Sequence, residues 1–307
     1  MSPADAAAVA GPPITAGEAL TDAVATLRGA GSPTARLDAE VLVAWALERD
    51  RAWLLAHLDE PMPDQSRGDL SAWVGRRARC EPIAYIRGFK EWYGLRIATD
   101  DRALIPRPET ELLVDAAVAE LADRLVRDDR PIVAWEVGTG SGAVAVAVAR
   151  RFRTALALGR LRLIVSDASP DAMELASDNL AAHGVAHLVT EVVADLLDGV
   201  GSLPPPDVVI ANLPYLRSDE VAAGVGSLAW EPAAALDGGA DGLDVLRALI
   251  ARIPRRLSED GCAMLEVGED QVNPIRDLVA TLPGHWSVAA TRDLAGVERI
   301  VRIERVP

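Results

Sequence analysis

The spacing of apolar residues changes along this chain. Between residues 15 and 79 they recur every three or four positions, which is typical of helices that bury one face. Thr15 and Glu18 form a capping-box pattern at the start of this region. The pattern predicts a helical bundle at residues 14–80. An Ala- and Pro-rich tail precedes it at residues 1–13, and we expect this tail to be disordered.

The character of the sequence changes at residues 81–103, where aromatic and β-branched residues surround Tyr93-Gly94. Such residues favour extended strands, and a glycine between them favours a tight turn. We therefore expect a hairpin that links the helical bundle to a second domain at residues 104–307.

From Pro131 onward, strand-like runs alternate with helical runs. This alternation indicates βαβ units, with a mostly parallel sheet and helices on both of its faces. The last two runs have no helix between them, so they predict an antiparallel hairpin at the sheet edge. The fold class expected for this domain is α/β with a Rossmann-like sheet. The runs are Ile132–Val137, Val144–Arg151, Leu161–Val165, Ala172–Ala182, Val189–Val193, Val208–Ala211, Leu246–Ile253, Cys262–Val267, Trp286–Ala290 and Arg299–Ile303.

Composition narrows the classes of function. Half of the 307 residues are apolar, but no run approaches the ~20 apolar residues of a membrane helix, so we expect no membrane association. Cys80 and Cys262 are the only cysteines, and the tail lacks a basic start, which fits a reducing cytoplasm. The net charge of −15 argues against a nucleic-acid partner. His183 and His187 are interpreted as surface residues and not as metal ligands, because Gly184 between them indicates a helix end.

A glycine-rich turn follows the first predicted strand of the sheet. The sequence Glu136-Val137-Gly138-Thr139-Gly140-Ser141-Gly142 opens a helix, where glycines let the backbone turn sharply and free amides can bind a ligand. Ligands of doubly wound sheets bind beyond the carboxyl ends of the strands. Gly138, Gly140 and Ala143 also fit the dinucleotide pattern, so the turn predicts a nucleotide cofactor of either type.

Two acidic residues end the next strands. Asp167 can accept both ribose hydroxyls of either NAD or S-adenosyl-L-methionine (SAM), and Asp195 can place its carboxylate or adjacent backbone near an adenine edge. The alternative is that Asp167 caps the helix before Pro170 and that Asp195 is an ordinary turn residue.

The fourth strand ends in Asn212-Leu213-Pro214-Tyr215. The Asn212 amide oxygen and a nearby backbone carbonyl can accept the two hydrogens of a planar NH2 group, while Tyr215 covers its flat face. The alternative is an ordinary turn with an exposed tyrosine. A dehydrogenase would need a proton donor such as His or a Tyr–Lys pair, and none stands out. Together, the glycine turn, Asp167 and this tetrapeptide favour a methyl donor.

The chain resembles the PrmC/HemK family of peptide chain release factor N5-glutamine methyltransferases, which are class I SAM-dependent enzymes. The family usually has Asn-Pro-Pro-Tyr where this chain has Leu213, and some members have an aromatic residue where it has Leu196. The segments that carry the resemblance are 81–88, 104–111, 138–142, 212–215, 230–232, 235–239, 241–243 and 292–296.

The resemblance implies transfer of a methyl group from SAM to the side-chain amide nitrogen of the glutamine in the Gly-Gly-Gln motif of release factors. S-adenosyl-L-homocysteine is the other product, and no metal is required. One alternative is an adenine-N6 methyltransferase of DNA or RNA; another is a non-catalytic SAM-binding scaffold. The expected catalytic residues are Asn212, Pro214 and Tyr215, with Leu213 as a further substrate contact. The expected cofactor contacts are Gly138, Thr139, Gly140, Ser141, Gly142, Asp167, Asp195, Leu196 and Asn212.

Overall fold

A computed structural model of the chain describes residues 14–198 and 203–306. The chain divides into two compact units between Arg87 and Gly88. This division lies inside the segment 81–103 that the sequence predicts as a linker. The tail predicted at residues 1–13 lies outside the described residues.

The first unit is a helical bundle. The Thr15 hydroxyl accepts a hydrogen bond from the Glu18 N–H at 3.2 Å, and the Glu18 carboxylate accepts one from the Thr15 N–H at 2.7 Å. The predicted capping box is therefore confirmed. The helices of this unit are α1 (Ala16–Gly29), α2 (Ala35–Ala46), α3 (Arg51–Ala56), α4 (Asp64–Ala78) and α5 (Ile83–Arg87).

Apolar side chains fill the centre of this bundle. Leu27, Leu42 and Leu54 are fully buried there. Burial of a leucine side chain stabilises a fold by about 1.5–3 kcal/mol. An ion pair between Arg77 and Asp38, at 2.8 Å, joins α4 to α2 beside this core.

The second unit begins with a hairpin, β1 (Phe89–Trp92) and β2 (Leu95–Ala98). Tyr93 and Gly94 both have positive φ, as a two-residue type I′ turn requires. The remaining elements are α6 (Thr110–Arg127), β3 (Ile132–Val137), α7 (Ala143–Arg151), α8 (Arg153–Ala157), β4 (Leu161–Asp167), α9 (Pro170–Ala182), β5 (Val189–Val193), β6 (Val208–Asn212), α10 (Ser218–Ala223), α11 (Asp244–Arg256), β7 (Cys262–Glu266), α12 (Val272–Ala280), β8 (Trp286–Arg292) and β9 (Glu298–Arg305).

Seven of these strands form one sheet in the order β5-β4-β3-β6-β7-β9-β8. The first five are parallel, whereas β9 runs antiparallel to both β7 and β8. The predicted α/β class and the antiparallel hairpin at the sheet edge are confirmed. Four helices, α5, α8, α10 and α12, are present where the sequence predicted none, and α5 lies within the segment 81–103 that was predicted as a hairpin linker.

Alternating side chains of β3 face opposite sides of the sheet. Ile132 and Ala134 belong to one apolar cluster, together with residues of α6 and α7. Trp135 and Val137 belong to the other, together with residues of α11 and α12. Because both faces are covered by helices, the strand is buried along its whole length, which explains its continuous apolar pattern.

A carboxylate secures the amino-terminal end of the central strands. The buried Asp207 accepts hydrogen bonds from Arg130 at 2.7 Å, the Val133 N–H at 2.8 Å and Ser258 at 2.8 Å. Burial alone would raise the pKa of Asp207, but these donors outweigh it and hold the pKa below its usual value. The carboxyl ends of the same strands are therefore free to serve a different purpose.

In the part of the chain that the structure describes, no helix combines the length and apolar character needed to cross a membrane.

Candidate active site

A cavity of about 350 Å³ lies at the carboxyl ends of the parallel strands. This volume falls within the range of small-molecule sites, roughly 300–1,000 Å³. Its wall combines the glycine turn, the residues that end β4 and β6, and segments 102–106 and 232–235. The strand order brings these distant pieces together, because parallel strands present all their carboxyl ends at one edge.

The glycine turn needs glycine for two reasons. Gly138, Gly140 and Gly142 all have positive φ, a conformation that other residues adopt only with strain. A Cβ on Gly138 would lie 2.7 Å from Leu213 Cδ2, closer than real atoms pack. Gly138, Thr139, Gly140 and Ser141 line the cavity. Gly142 is not among its lining residues; a Cβ there would meet Ala176 of α9 at 3.0 Å, so this glycine permits close helix packing.

Glu136 is a buried acid that also lines the cavity. Burial raises the pKa of this carboxyl to about 8, although the Thr139 hydroxyl acts in the opposite direction. Its Oε2 atom has no hydrogen-bond partner among the described residues. No role for Glu136 was predicted from the sequence. An acid at the end of an otherwise apolar strand was the signal that could have identified it.

Asp167 is held by backbone amides at the end of β4. Its carboxylate accepts hydrogen bonds from Gly140 N–H and Ser169 N–H, each at 2.9 Å. Burial raises the pKa of Asp167, and these amides partly counteract that effect. Ser169, and not Asp167, caps the following helix by accepting from the Ala172 N–H at 3.2 Å. The alternative role of Asp167 as a helix cap is therefore wrong.

Asp195 and Leu196 line the same cavity beyond the end of β5. The Asp195 side chain is exposed and lies 3.6 Å from Arg252. Leu196 is buried and has a φ of 53°, which a non-glycine residue adopts only at a cost. The strained backbone presents its apolar side chain at the cavity wall.

Asn212 ends β6, and its amide has a fixed partner. The Asn212 Nδ2 group donates a hydrogen bond to the Thr110 hydroxyl at 3.0 Å. Both residues line the cavity. With the NH2 group held by Thr110, the Asn212 Oδ1 atom is the amide acceptor that remains for a ligand. The sequence alone predicted no role for Thr110 in this site.

Of the three residues that follow Asn212, two line the cavity and the third packs against the apolar core behind it. Leu213 and Pro214 line the cavity. The Tyr215 ring is not among the lining residues and lies beside Gly268, where an added Cβ would meet its Cδ2 atom at 3.3 Å. Burial raises the pKa of Tyr215 to about 12, so it remains a neutral phenol at neutral pH.

Glu266 lies opposite Asn212 in the β6–β7 ladder. Its side chain is buried, and neither carboxyl oxygen has a hydrogen-bond partner in standard geometry among the described residues. Burial raises its pKa to about 7, while the nearby hydroxyls of Thr110 and Tyr215 lower it. No role for Glu266 was predicted from the sequence either.

Glu231 joins segments 102–106 and 232–235 of the cavity wall. Its carboxylate accepts hydrogen bonds from the Ile105 N–H at 3.0 Å and from Arg107 at 2.6 Å. The Arg107 carbonyl in turn accepts from Trp92 Nε1 at 2.7 Å. These contacts fix the positions of Pro106 and Pro232 in the cavity wall.

Among the described residues, no three His, Cys, Asp or Glu side chains are placed to hold a metal ion. The Glu136 carboxyl lines the cavity, and its Oε2 atom has no hydrogen-bond partner among the described residues. Together with the acid at the end of β4 and the glycine turn, it fits a cationic nucleoside such as SAM.

Comparison with known proteins agrees with this geometry. Residues 18–88 match the family model described as the PrmC N-terminal domain. The release factor glutamine methyltransferase of Xylella fastidiosa is 35% identical over 90% of this chain and 96% of its own length. That of Deinococcus radiodurans is 35% identical over 93% of this chain and 97% of its own length. The solved catalytic domain of human METTL16 has 12% identity and a TM-score of 0.52, over 79% of this chain and 82% of that one, which indicates a shared fold.

The sheet order and the glycine-lined cavity define a class I methyltransferase. Its near full-length similarity to the Xylella and Deinococcus enzymes narrows that class further. The chain belongs to the family of release factor glutamine methyltransferases.

Proposed function

We propose that this protein transfers a methyl group from SAM to the N5 nitrogen of the glutamine in the Gly-Gly-Gln motif of peptide chain release factors. The single observation that carries the proposal is the hydrogen bond from Asn212 Nδ2 to Thr110. It leaves an amide oxygen, and not an NH2 group, to meet the substrate. An oxygen acceptor suits a substrate NH2 group, which offers only donors.

The cofactor would occupy the cavity beside the glycine turn. Asp167 would accept the ribose hydroxyls, and Asp195 and Leu196 would contact the adenine. Glu136 would face the ammonium group of the methionine portion, and this cation would favour the ionised form of a carboxyl whose pKa burial otherwise raises. When bound, SAM supplies an electrophilic methyl group on a sulfonium. No metal is needed for this chemistry.

Asn212 and Pro214 would hold the glutamine amide. An amide nitrogen is a poor nucleophile because its lone pair is delocalised into the carbonyl. The Asn212 oxygen and the Pro214 carbonyl would accept its two N–H groups, which favours the positive charge that develops on nitrogen. Leu213 would shape the wall beside Gly138, and the half-buried Tyr215 would support the turn from behind. Correct orientation of the two reactants can supply about 7–11 kcal/mol of the barrier reduction.

Methyl transfer with a labelled donor tests the proposal. The full chain is incubated with methyl-labelled SAM and a release factor, and in parallel with a release factor whose Gly-Gly-Gln glutamine is replaced by alanine. We expect label on the glutamine of the first protein and none on the second. DNA and RNA serve as further substrates. Label on adenine and not on the release factor would overturn the proposal, and no transfer to any substrate would favour the scaffold function.

A further inference from the structure

Glu266 is a buried acid for which the proposed reaction supplies no use. It is 1% exposed and ends β7, directly opposite Asn212 in the neighbouring strand. An acid with two unsatisfied oxygens in this position costs stability, because burial removes water without supplying partners. Unlike Glu136, it is not among the residues that line the cavity. Its effect on a ligand must therefore pass through a neighbouring side chain.

Thr110 is the neighbour that connects Glu266 to the active site. Its oxygen accepts the hydrogen bond from Asn212 Nδ2 at 3.0 Å. A threonine hydroxyl has one hydrogen to donate and two lone pairs. With a lone pair engaged by Asn212, the hydroxyl hydrogen remains to be donated. The buried Glu266 carboxylate is the acceptor available to it, because neither of its oxygens has a hydrogen-bond partner among the described residues and the Thr110 hydroxyl is near enough to lower its pKa.

We propose that Glu266 is a positioning residue that orients the Asn212 amide through the Thr110 hydroxyl. This inference rests on the proposed function, in which the Asn212 oxygen accepts a hydrogen from the substrate amide. A primary amide can rotate by half a turn and exchange its oxygen and nitrogen with almost no change in shape. In the rotated form, the Asn212 NH2 group would face the substrate NH2 group, and two donors would meet. An ionised Glu266 prevents this, because it directs the Thr110 lone pairs toward Asn212.

We call the path from Glu266 through the Thr110 hydroxyl to the Asn212 amide the relay. Its effect depends on the charge of Glu266. When this carboxyl is protonated, it can donate its own hydrogen to Thr110 and compete with Asn212 for the hydroxyl oxygen. Glu109, before α6, raises the pKa of Glu266 further, and Arg299 on β9 and the Tyr215 hydroxyl lower it. The Asn212 amide should therefore be well ordered above the pKa of Glu266 and less ordered below it.

Nuclear magnetic resonance tests this relay without requiring turnover. The side-chain amide signals of Asn212 are assigned in the 15N-labelled full chain by their loss in Asn212→Ala. We expect these signals to shift with pH around a midpoint of about 7. The shift should disappear in Glu266→Gln and Thr110→Val and persist in Glu304→Gln, a matched change in the same sheet. A titration that persists in Glu266→Gln would overturn the proposal.

Kinetics separate positioning from general structural support. Glu266→Met and Thr110→Val each remove one link, so each should lower kcat about tenfold, the effect of one lost hydrogen bond. In Glu266→Met, whose side chain does not line the cavity, the Kd for SAM should change by less than about twofold. The double variant should be no slower than either single variant, because both changes break the same path. A loss of kcat in the double variant that equals the product of the two single losses would contradict the relay.

Conservative variants complete the test. Glu266→Gln cannot ionise, and its NH2 group can donate to the Thr110 oxygen as the protonated acid does, so its kcat should stay at the low-pH level of the wild type and lose its pH dependence. Thr110→Ser should restore most of the activity that Thr110→Val loses. If the wild type fails to methylate the release factor, the proposed function fails, and the Asn212 titration alone still decides the relay. If methylation occurs but Glu266→Gln and Thr110→Val retain the pH profile of the wild-type enzyme, only the relay fails.

Discussion

The Glu231 carboxylate accepts a hydrogen bond from the Ile105 backbone N–H at 3.0 Å, across 126 positions of the sequence. The same carboxylate also pairs with Arg107 at 2.6 Å. One buried acid thereby secures two segments of the cavity wall that belong to no strand or α-helix. The conformation of this part of the site depends on side-chain contacts more than on backbone ladders.

Glu231→Ala should therefore destabilise the protein and weaken cofactor binding. It leaves the buried Ile105 N–H without an acceptor, which costs about 1–3 kcal/mol of unfolding free energy. Denaturant unfolding and calorimetric titration with SAM would measure the two effects. Glu231→Gln is the matched control, because it keeps an acceptor and removes only the charge. If both variants lose the same free energy, the contact with Arg107 and not with Ile105 is the important one.

Gly138→Ala should weaken SAM binding by at least about tenfold. The new Cβ would lie 2.7 Å from Leu213 Cδ2, so either the glycine turn or the Asn212 turn must move. The positive φ adds about 1–2 kcal/mol of strain. Gly159→Ala is a matched control, since its φ is also positive and no atom lies within 4 Å of the added Cβ. Equal Kd values for SAM in both variants would show that the close approach to Leu213 is unimportant.

Asn212→Ala should abolish most methyl transfer while leaving SAM bound. By comparison with the loss of one transition-state hydrogen-bond donor in other enzymes, kcat should fall about 10²–10³-fold. Single-turnover methylation measures the chemical step, and calorimetry measures the Kd for SAM. Retained turnover would contradict the role assigned to the Asn212 oxygen.

The stability of the ligand-free protein should fall as pH rises through the titration of Glu136. Burial raises its folded-state pKa to about 8, above its ordinary value of 4.5. Because the folded state holds the proton more tightly, this contribution is fully present below about 4.5 and is lost as pH rises through about 8. Glu136→Gln should flatten the dependence of unfolding free energy on pH over this interval. Glu191→Gln, an exposed acid on β5, should leave the wild-type slope unchanged.

The sequence was sufficient to predict the sheet and the main motifs, because their signals are local. The alternation of strands and helices defines the α/β fold, and closely spaced glycines mark a turn wherever it lies in space. Helix α12 was not predicted because Pro274 interrupts the helical pattern of its sequence. Its place in the first turn makes that proline harmless, since the amide there needs no partner within the helix.

The contacts behind Asn212 could not be predicted in the same way. Thr110 lies 102 positions earlier and meets Asn212 only because α6 packs on β6. Its sequence neighbours indicate a helix start and no partner. Glu266 did carry a local signal, because a single acid ends an otherwise apolar strand. Only the fold shows that this acid lies opposite Asn212 and not on the outer surface.

The carboxylates at the two ends of this sheet affect the folded chain differently. Asp207, at the amino end, already accepts hydrogen bonds from Arg130, Val133 and Ser258, so its contribution to the stability of the folded chain does not depend on a ligand. Glu136, at the cavity, has an unsatisfied oxygen that a cation could relieve. A bound cation would stabilise the fold by linkage, in proportion to the logarithm of its concentration over its Kd. The cellular lifetime of this protein under proteolysis should therefore follow the supply of its methyl donor, so that methylation capacity and enzyme abundance rise and fall together.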